Sequence, residues 1–267
     1  MILQFFLFVP ITLGFAQDLG SLRIMNGTYA VEEQFPYEAG LLCYFAGFPN
    51  NPSLCGGAIL SNRWILTAAH CLQDPDANLT QVRVQVGSLE APGGDDILVN
   101  GSDIIVHKNF NRKTVFNDLG LIRLPKNLTF SSKVQPVKLP SSYRTYTGRS
   151  VFISGWGLTD NQTASESLQY LRTDVVSNKQ CQSQWNKALK GKKKKVVSWT
   201  FVCVDTQQGM PCQGDSGSPM VLADGSKTLV GIVSHGLDPE CKRKVPDISM
   251  RVSAFLRWIN SNTGGLK

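Results

Sequence analysis

Two stretches far apart in the chain, Thr67-Ala68-Ala69-His70-Cys71 and Gly214-Asp215-Ser216-Gly217-Ser218-Pro219, make sense only if folding brings them together. A serine between glycines and beside an aspartate is by itself an ordinary turn. A serine hydroxyl is a weak nucleophile until an adjacent base takes its proton, and that base is usually a histidine oriented by a buried carboxylate. The chain has three histidines, His70, His107 and His235. His70 lies between Cys71 and a run of strand-forming residues, Trp64-Ile65-Leu66-Thr67. The acid that suits the third role is Asp118, which opens the apolar run Leu119-Gly120-Leu121-Ile122 as a buried orienting acid should.

At 267 residues the chain has length for one large or two small globular units. Short β-type runs such as Val82-Arg83-Val84-Gln85-Val86 and Val151-Phe152-Ile153-Ser154 are separated by Gly, Pro and Asn clusters, a spacing that predicts a sandwich or barrel. Residues 1–16 are apolar and end on Gly14-Phe15-Ala16, a small-x-small cleavage signal. That stretch is too short for a membrane span and reads as a secretory signal peptide, and no later apolar stretch is long enough to anchor the chain. The protein is therefore expected to be secreted and extracellular. Seven cysteines in a secreted chain should mostly pair. Spacing alone leaves about fifteen ways of pairing six of them. Sequons at Asn26, Asn78, Asn100, Asn127 and Asn161 predict that at least some are glycosylated.

The order His70, Asp118, Ser216, with the motifs around each, resembles the trypsin/chymotrypsin family of serine proteases. The resemblance runs from Ile24 to Asn262. It includes Cys55-Gly56-Gly57, Gly155-Trp156-Gly157, Ser234-His235-Gly236 and the C-terminal Phe255-Leu256-Arg257-Trp258-Ile259. It implies an all-β fold of two six-stranded antiparallel barrels with a C-terminal α-helix, the site lying in the cleft between them. The implied organisation is a signal peptide (1–16), an activation pro-segment (17–23) and a protease domain (24–267) whose barrels divide near residue 140. The family pattern selects the disulfides Cys55–Cys71, Cys181–Cys203 and Cys212–Cys241 and leaves Cys43 over, as a buried inert thiol or an intermolecular link.

By the same resemblance, Ser216 attacks the scissile carbonyl, His70 takes and returns the proton, and Asp118 fixes the imidazole. The backbone N–H groups of Gly214 and Ser216 form the oxyanion hole, and Ser234, His235 and Gly236 pair with substrate as an added strand. No metal or organic cofactor is needed. Cleavage after Arg23 by an activating trypsin-like protease would free the Ile24 ammonium to pair with Asp215, although Met25 and Asn26 depart from the usual Val-Gly. The pocket base falls at Met210, followed by Pro211, where trypsin-like enzymes have an aspartate. Asp247 falls where a pocket-wall glycine is common, and a carboxylate at this site resembles the brachyurin-type arthropod proteases and neutrophil elastase. Screening of Asp247 by Met210 and Pro211 predicts a medium apolar preference, chymotrypsin- or elastase-like or broad, over strict trypsin-like cleavage. His235 stands where the family has a Trp-type residue. It is not read as a second base, because one base already fits the family position.

Lys187, Lys190, Lys192, Lys193, Lys194 and Lys195 crowd a surface loop between Cys181 and Cys203, and the formal net charge is +7. Such a run is either a solvated flexible loop or an anion-binding exosite for heparan-like glycans, anionic lipid or acidic substrates. Nothing interleaves it with aromatics as nucleic-acid binding requires. The expected partners are protein or peptide substrates, the activating protease and protease inhibitors, with the protein a monomer. A catalytically dead, glycan- or protein-binding homologue is the rival reading, yet such homologues lose a triad member and all three are present. A small-ester or lipid hydrolase is disfavoured, since those carry Gly-x-Ser-x-Gly on an α/β fold in the order Ser, Asp, His.

Overall fold

The computed structural model describes residues 26–94, 96–190, 196–237, 240–242 and 244–266. The predicted signal peptide, the pro-segment, Arg23, Ile24 and Lys192 to Lys195 lie outside the described residues. After a short strand β1 (Thr28–Tyr29) come β2 (Glu38–Phe45), β3 (Ser53–Ile59), β4 (Trp64–Thr67), the single turn α1 (Ala69–Leu72), β5 (Leu79–Val86), β6 (Ile97–Asn100), β7 (Ile104–Val106) and β8 (Gly120–Arg123). The second half holds β9 (Ser150–Gly155), β10 (Gln169–Val176), α2 (Asn178–Ala188), β11 (Phe201–Val204), β12 (Pro219–Leu222), β13 (Leu229–His235), β14 (Asp247–Arg251) and α3 (Leu256–Thr263). Among the described residues no helix is long and apolar enough to cross a membrane.

All the pairings within the two large sheets are antiparallel, and each sheet closes on itself. In the first, β5 pairs β2, which pairs β3, then β4 and β8 follow. Closure comes from one bent strand: β6 pairs β5, β7 pairs β8, and a 3-10 turn at Gly101–Asp103 bends the chain between them. In the second, β9 pairs both β10 and β12, so the ring runs β9, β10, β11, β14, β13, β12 and returns; β1 is added to β10. Both sheets are thus six-stranded barrels once β6 and β7 count as one strand, and α3 follows the second.

The side-chain pattern explains the closure. Along β5, Val82 and Val84 are fully buried while Gln81, Arg83 and Gln85 are less so, the period of two that puts one face inside. Leu41, Ile59, Ile65, Leu66, Leu121 and Ile122 fill the first barrel, all at zero exposure. Val151, Ile153, Val202, Met220 and Val230 fill a second cluster between strands β9 to β13. Arg251 is buried at 2% exposure despite its charge. It donates to the carbonyls of Trp199, Arg144, Thr145 and Phe201 and to Asn178 Oδ1, so its charge is solvated by protein dipoles.

The barrels meet backbone to backbone. Gly56 N–H, on β3 of the first, donates to Ser216 C=O at 2.8 Å. A Cβ on Gly56 would lie 2.8 Å from Ser218 Cα. Gly217 has φ +86°, and a Cβ there would collide with Thr67 Oγ1 and the Gly56 carbonyl oxygen. Both the left-handed backbone and the close approach demand glycine. Gly217→Ala is therefore expected to lose about 3 kcal/mol or more of stability, read as a lowered midpoint in chemical unfolding; a midpoint within error of wild type would refute the seam as a packing constraint.

Candidate active site

Three local structures deliver three side chains to this seam. β4 ends at Thr67, whose hydroxyl donates to Gly56 C=O at 2.7 Å, and α1 turns His70 out at once. The Cys55–Cys71 disulfide ties that turn to β3. Asp118 follows Asn117, which holds φ +56° and donates through Nδ2 to Asn109 C=O at 3.0 Å. A short-side-chain amide tolerates this conformation better than a branched residue would. Ser216 sits in a loop pinned on the second barrel: Gly217 N–H donates to Val233 C=O at 2.8 Å and Val233 N–H to Ser218 C=O at 3.0 Å.

Asp118 is at zero exposure and has its hydrogen-bonding capacity well used. Oδ1 accepts from the His70 backbone N–H at 2.8 Å; Oδ2 faces His70 Nδ1 at 2.7 Å and accepts from Ser234 Oγ–H at 2.6 Å. Burial alone would push this carboxyl up, but the His70 charge and the hydrogen bonds from His70 and Ser234 hold it below the ordinary aspartate value. An ionised carboxylate only accepts, so His70 Nδ1 carries the proton and Nε2 is left as the acceptor. His70 keeps 25% of its side chain open to solvent. The sequence reading gave Ser234 a substrate-binding role only; its hydroxyl also orients the acid. That hydroxyl has one proton, given to Asp118, so the 3.1 Å contact between Ser234 Oγ and His235 Nδ1 requires His235 Nδ1–H to donate. The His235 ring lies edge-on to Trp185 and Phe201, each 6.0 Å away between centroids.

Beside Ser216, Gly214 holds φ +96°. Among the described residues neither Gly214 nor Ser216 donates its N–H to another group, which leaves both amides available to an incoming oxygen. Asp215 is fully buried beneath them; Oδ1 accepts from Gly157 N–H at 2.8 Å and Oδ2 from Cys212 N–H at 2.9 Å. Burial still pushes its carboxyl up to about 6, the two amides offsetting only part. Glycine at 157 is required, since a Cβ would press on the Asp215 carboxyl within 2.7 Å of Oδ1.

A cavity of about 250 Å³ opens beside Ser216, lined among others by Met210, Pro211, Ser234, His235, Gly236 and Asp247. Met210, 8% exposed, packs with Leu158 against the Cys212–Cys241 disulfide. Asp247 is 4% exposed and its Oδ1 has no hydrogen-bond partner among the described residues. Burial first, and then the Asp215 charge, raise its carboxyl well above the ordinary range. A fourth buried acid has no counterpart among the residues singled out from the sequence: Glu38 on β2, 3% exposed, accepts from Ser154 Oγ–H. Burial raises it well above normal, the Ser154 bond offsets part, and Asp215 raises it further. Its signal was an acid inside the apolar run Tyr37-Glu38-Ala39-Gly40-Leu41. Cys181–Cys203 closes the third bridge, and Cys43 is free and buried. Lys187 and Lys190, far from this cleft in character, are solvent-exposed at and beyond the end of α2.

Residues 24–259 match the trypsin family. Similar proteins include serine protease 1 of Drosophila melanogaster, 36% identical over 91% of this chain and 86% of that protein. Collagenase of Hypoderma lineatum is 34% identical over 92% and 90%, and brachyurin of Leptuca pugilator 30% over 90% and 99%. A solved structure described as HL collagenase superposes with a TM-score of 0.78 at 34% identity, covering 90% of this chain and 98% of its own. With the cleft, the buried acid and these relatives in agreement, the chain belongs to the trypsin family of serine proteases.

Proposed function

We propose that this serine protease is a secreted endopeptidase made as a zymogen, which cleaves peptide bonds through an acyl-enzyme on Ser216. The observation that carries the reading is the Asp118–His70 pair, 2.7 Å apart with the acid fully buried, because it sets the imidazole in the tautomer a general base needs. His70 Nε2 takes the Ser216 proton as Oγ attacks the carbonyl carbon, and the same proton passes to the departing amine. Asp118 stabilises the imidazolium in between. The developing oxyanion is met by the Gly214 and Ser216 amides, each such donor being worth about 3 kcal/mol in the transition state. Water then attacks the acyl group with His70 again as base.

Protein cleaved after Arg23 and treated with a fluorophosphonate should carry the label on Ser216. Ser216→Ala should fold normally, take no label and lose about 10⁵- to 10⁶-fold in peptidase kcat. Comparable hydrolysis of a peptide ester by that variant would overturn the assignment.

Activation is read as capture of Asp215 by the Ile24 ammonium. In the uncut chain the raised Asp215 binds its proton more tightly folded than unfolded. The stability this gives is complete below the ordinary aspartate pKa of about 4 and is lost as pH climbs to about 6, a cost of about 3 kcal/mol. Pairing with an ammonium lowers the folded-state pKa and removes that loss. Unfolding free energy of the Arg23→Gln protein, which cannot be cut there, should fall relative to cut protein between about pH 4 and 6, and it should stay inactive. Glu38 and Asp247 feel the Asp215 charge, so the difference reports Asp215 together with its effect on these two acids. Parallel curves, or full activity uncut, would sink the activation scheme.

A chymotrypsin- or elastase-like or broad specificity is supported by Met210 on the cavity wall and by burial of Asp247, which disfavours the charged form of its carboxyl. An acid whose charge is disfavoured attracts a cationic side chain less. Met210→Gly should raise cleavage after Arg or Lys relative to Leu by about 1–3 kcal/mol in kcat/KM, and Asp247→Gly in that background should reverse it. A wild-type peptide-library profile confined to Arg and Lys would contradict this. The lysine loop is read as an exosite for anionic glycans: replacing Lys192 to Lys195 by Ser should weaken heparin retention and flatten its salt dependence while short-peptide turnover stays constant. Unaltered retention would leave the run as a solvated loop.

A further inference from the structure

Away from the cleft, a groove of about 750 Å³ is lined by Tyr143, Trp199, Ser253, Ala254, Leu256 and Arg257. Tyr143 is 46% exposed and Trp199 61%, and their rings meet edge to face with centroids 5.8 Å apart. Scattered exposed aromatics need no explanation. These two are different in being adjacent, concave and anchored. Arg251 Nε donates to the Trp199 carbonyl at 3.0 Å, and the Arg251 guanidinium lies 5.8 Å from the Tyr143 ring centroid. Ser253 Oγ accepts from Arg144 N–H at 3.1 Å and donates to Arg144 C=O at 3.1 Å. The segment leading to Trp199 is bonded to α2, Val197 N–H to Gln182 Oε1 at 2.8 Å and Asn178 Nδ2 to Ser198 C=O at 2.6 Å. Two aromatic faces are thus presented by buried structure, at little further entropic cost on binding.

The charge of the segments that build the groove is one-sided. Segments 140–147, 177–190, 196–203 and 251–266 supply every lining residue, contain no Asp or Glu, and carry six of the chain's 27 Lys and Arg. Arg257 lines the groove and is exposed, as are Arg144, next to the lining residue Tyr143, and Lys179, Lys187 and Lys190 on the α2 segment. Such a set of exposed cations attracts polyanions and is screened by salt.

We infer that this groove binds the sugar rings of a sulfated or uronate-bearing oligosaccharide, with pyranose faces stacked on Trp199 and Tyr143 and the anionic substituents met by Arg257 and Arg144. A concave aromatic groove suits a chain ligand better than a flat bilayer, and the exposed Arg257 guanidinium supplies directional polar contacts of the kind a sugar uses. The inference deepens the anion-exosite reading of the lysine loop, yet the two fail separately: the loop acts through charge alone, the groove also through ring stacking that salt does not screen.

The full-length chain, carrying Ser216→Ala to prevent self-digestion, is titrated with a highly sulfated heparin tetrasaccharide in high salt, with tryptophan fluorescence and calorimetry as readouts. Binding should perturb the fluorescence, and Trp199→Ala should weaken it about tenfold or more, Trp199→Phe much less, as loss of an aromatic stacking contact requires. Lys192 to Lys195→Ser should lower affinity at low salt and leave the high-salt value unchanged. In cleaved protein with Ser216 intact, Trp199→Ala should leave chromogenic-peptide turnover unchanged. Equal tetrasaccharide affinity in wild type and Trp199→Ala, no binding at all, or Trp199-dependent binding to phosphatidylserine vesicles without tetrasaccharide binding would each overturn the inference. Unfolding midpoints of the variants separate loss of the contact from loss of the fold: if Trp199→Ala is destabilised, Trp199→Phe and Arg257→Ser carry the comparison, and unchanged low-salt affinity in Arg257→Ser overturns the charged half of the site.

Discussion

The contact on which everything else turns is the approach of two backbones at Gly56 and Ser216–Gly217. A 2.8 Å amide-to-carbonyl bond joins β3 of one barrel to the serine loop of the other, in a gap that admits no side chain at 56 or 217. Each barrel closes on its own hydrogen bonds, and the two share one apolar cluster and side-chain bonds such as Glu38 to Ser154. The seam adds a direct backbone link between them, next to His70, Asp118 and Ser216. Glycine there is a requirement of the site as much as of the fold.

Four buried acids around the seam show how environment divides one chemical group into separate behaviours. Asp118 meets two N–H donors and a hydroxyl and stays ionised despite zero exposure. Asp215 has two amides and is lifted only to about 6, poised for a cation to tip it. Glu38, with one described hydroxyl, and Asp247, with an oxygen unmet, are raised further. The differences follow the neighbouring charges, His70 beside Asp118 and Asp215 beside Glu38 and Asp247, together with the supply of hydrogen-bond donors. Only the first has its charge fully provided for by the described residues.

Much of this was legible in the sequence because it rests on residues whose chemistry is rarely needed elsewhere. His70 beside Cys71, Asp118 before an apolar run and Ser216 among glycines announce a site, and period-two strands such as β5 announce barrels. What stayed hidden depends on three-dimensional proximity with no periodic signature. Glu38 lies far from Ser154 in the chain, yet the two bond where the barrels meet. Ser234 reads as a strand residue until its hydroxyl is seen on Asp118. The aromatic pair Tyr143 and Trp199 comes from two loops with no shared motif. The bend that lets β6 and β7 serve as one strand was likewise beyond pattern reading, since it interrupts the alternation that would reveal it.

The odd cysteine has a consequence for how the protein matures. Cys43 sits at zero exposure on β2, and burial pushes its thiol up to about 12, so the folded protein holds almost no thiolate there. Thiol–disulfide exchange begins with a thiolate, and the three bridges are therefore safe from their seventh neighbour once β2 is packed between β3 and β5. Before that packing the same sulfur has the ordinary reactivity of an exposed cysteine. The hazard of mispairing is thus confined in time to the interval before the first barrel closes, and the order in which strands assemble, rather than any property of the finished molecule, decides whether the bridges form correctly.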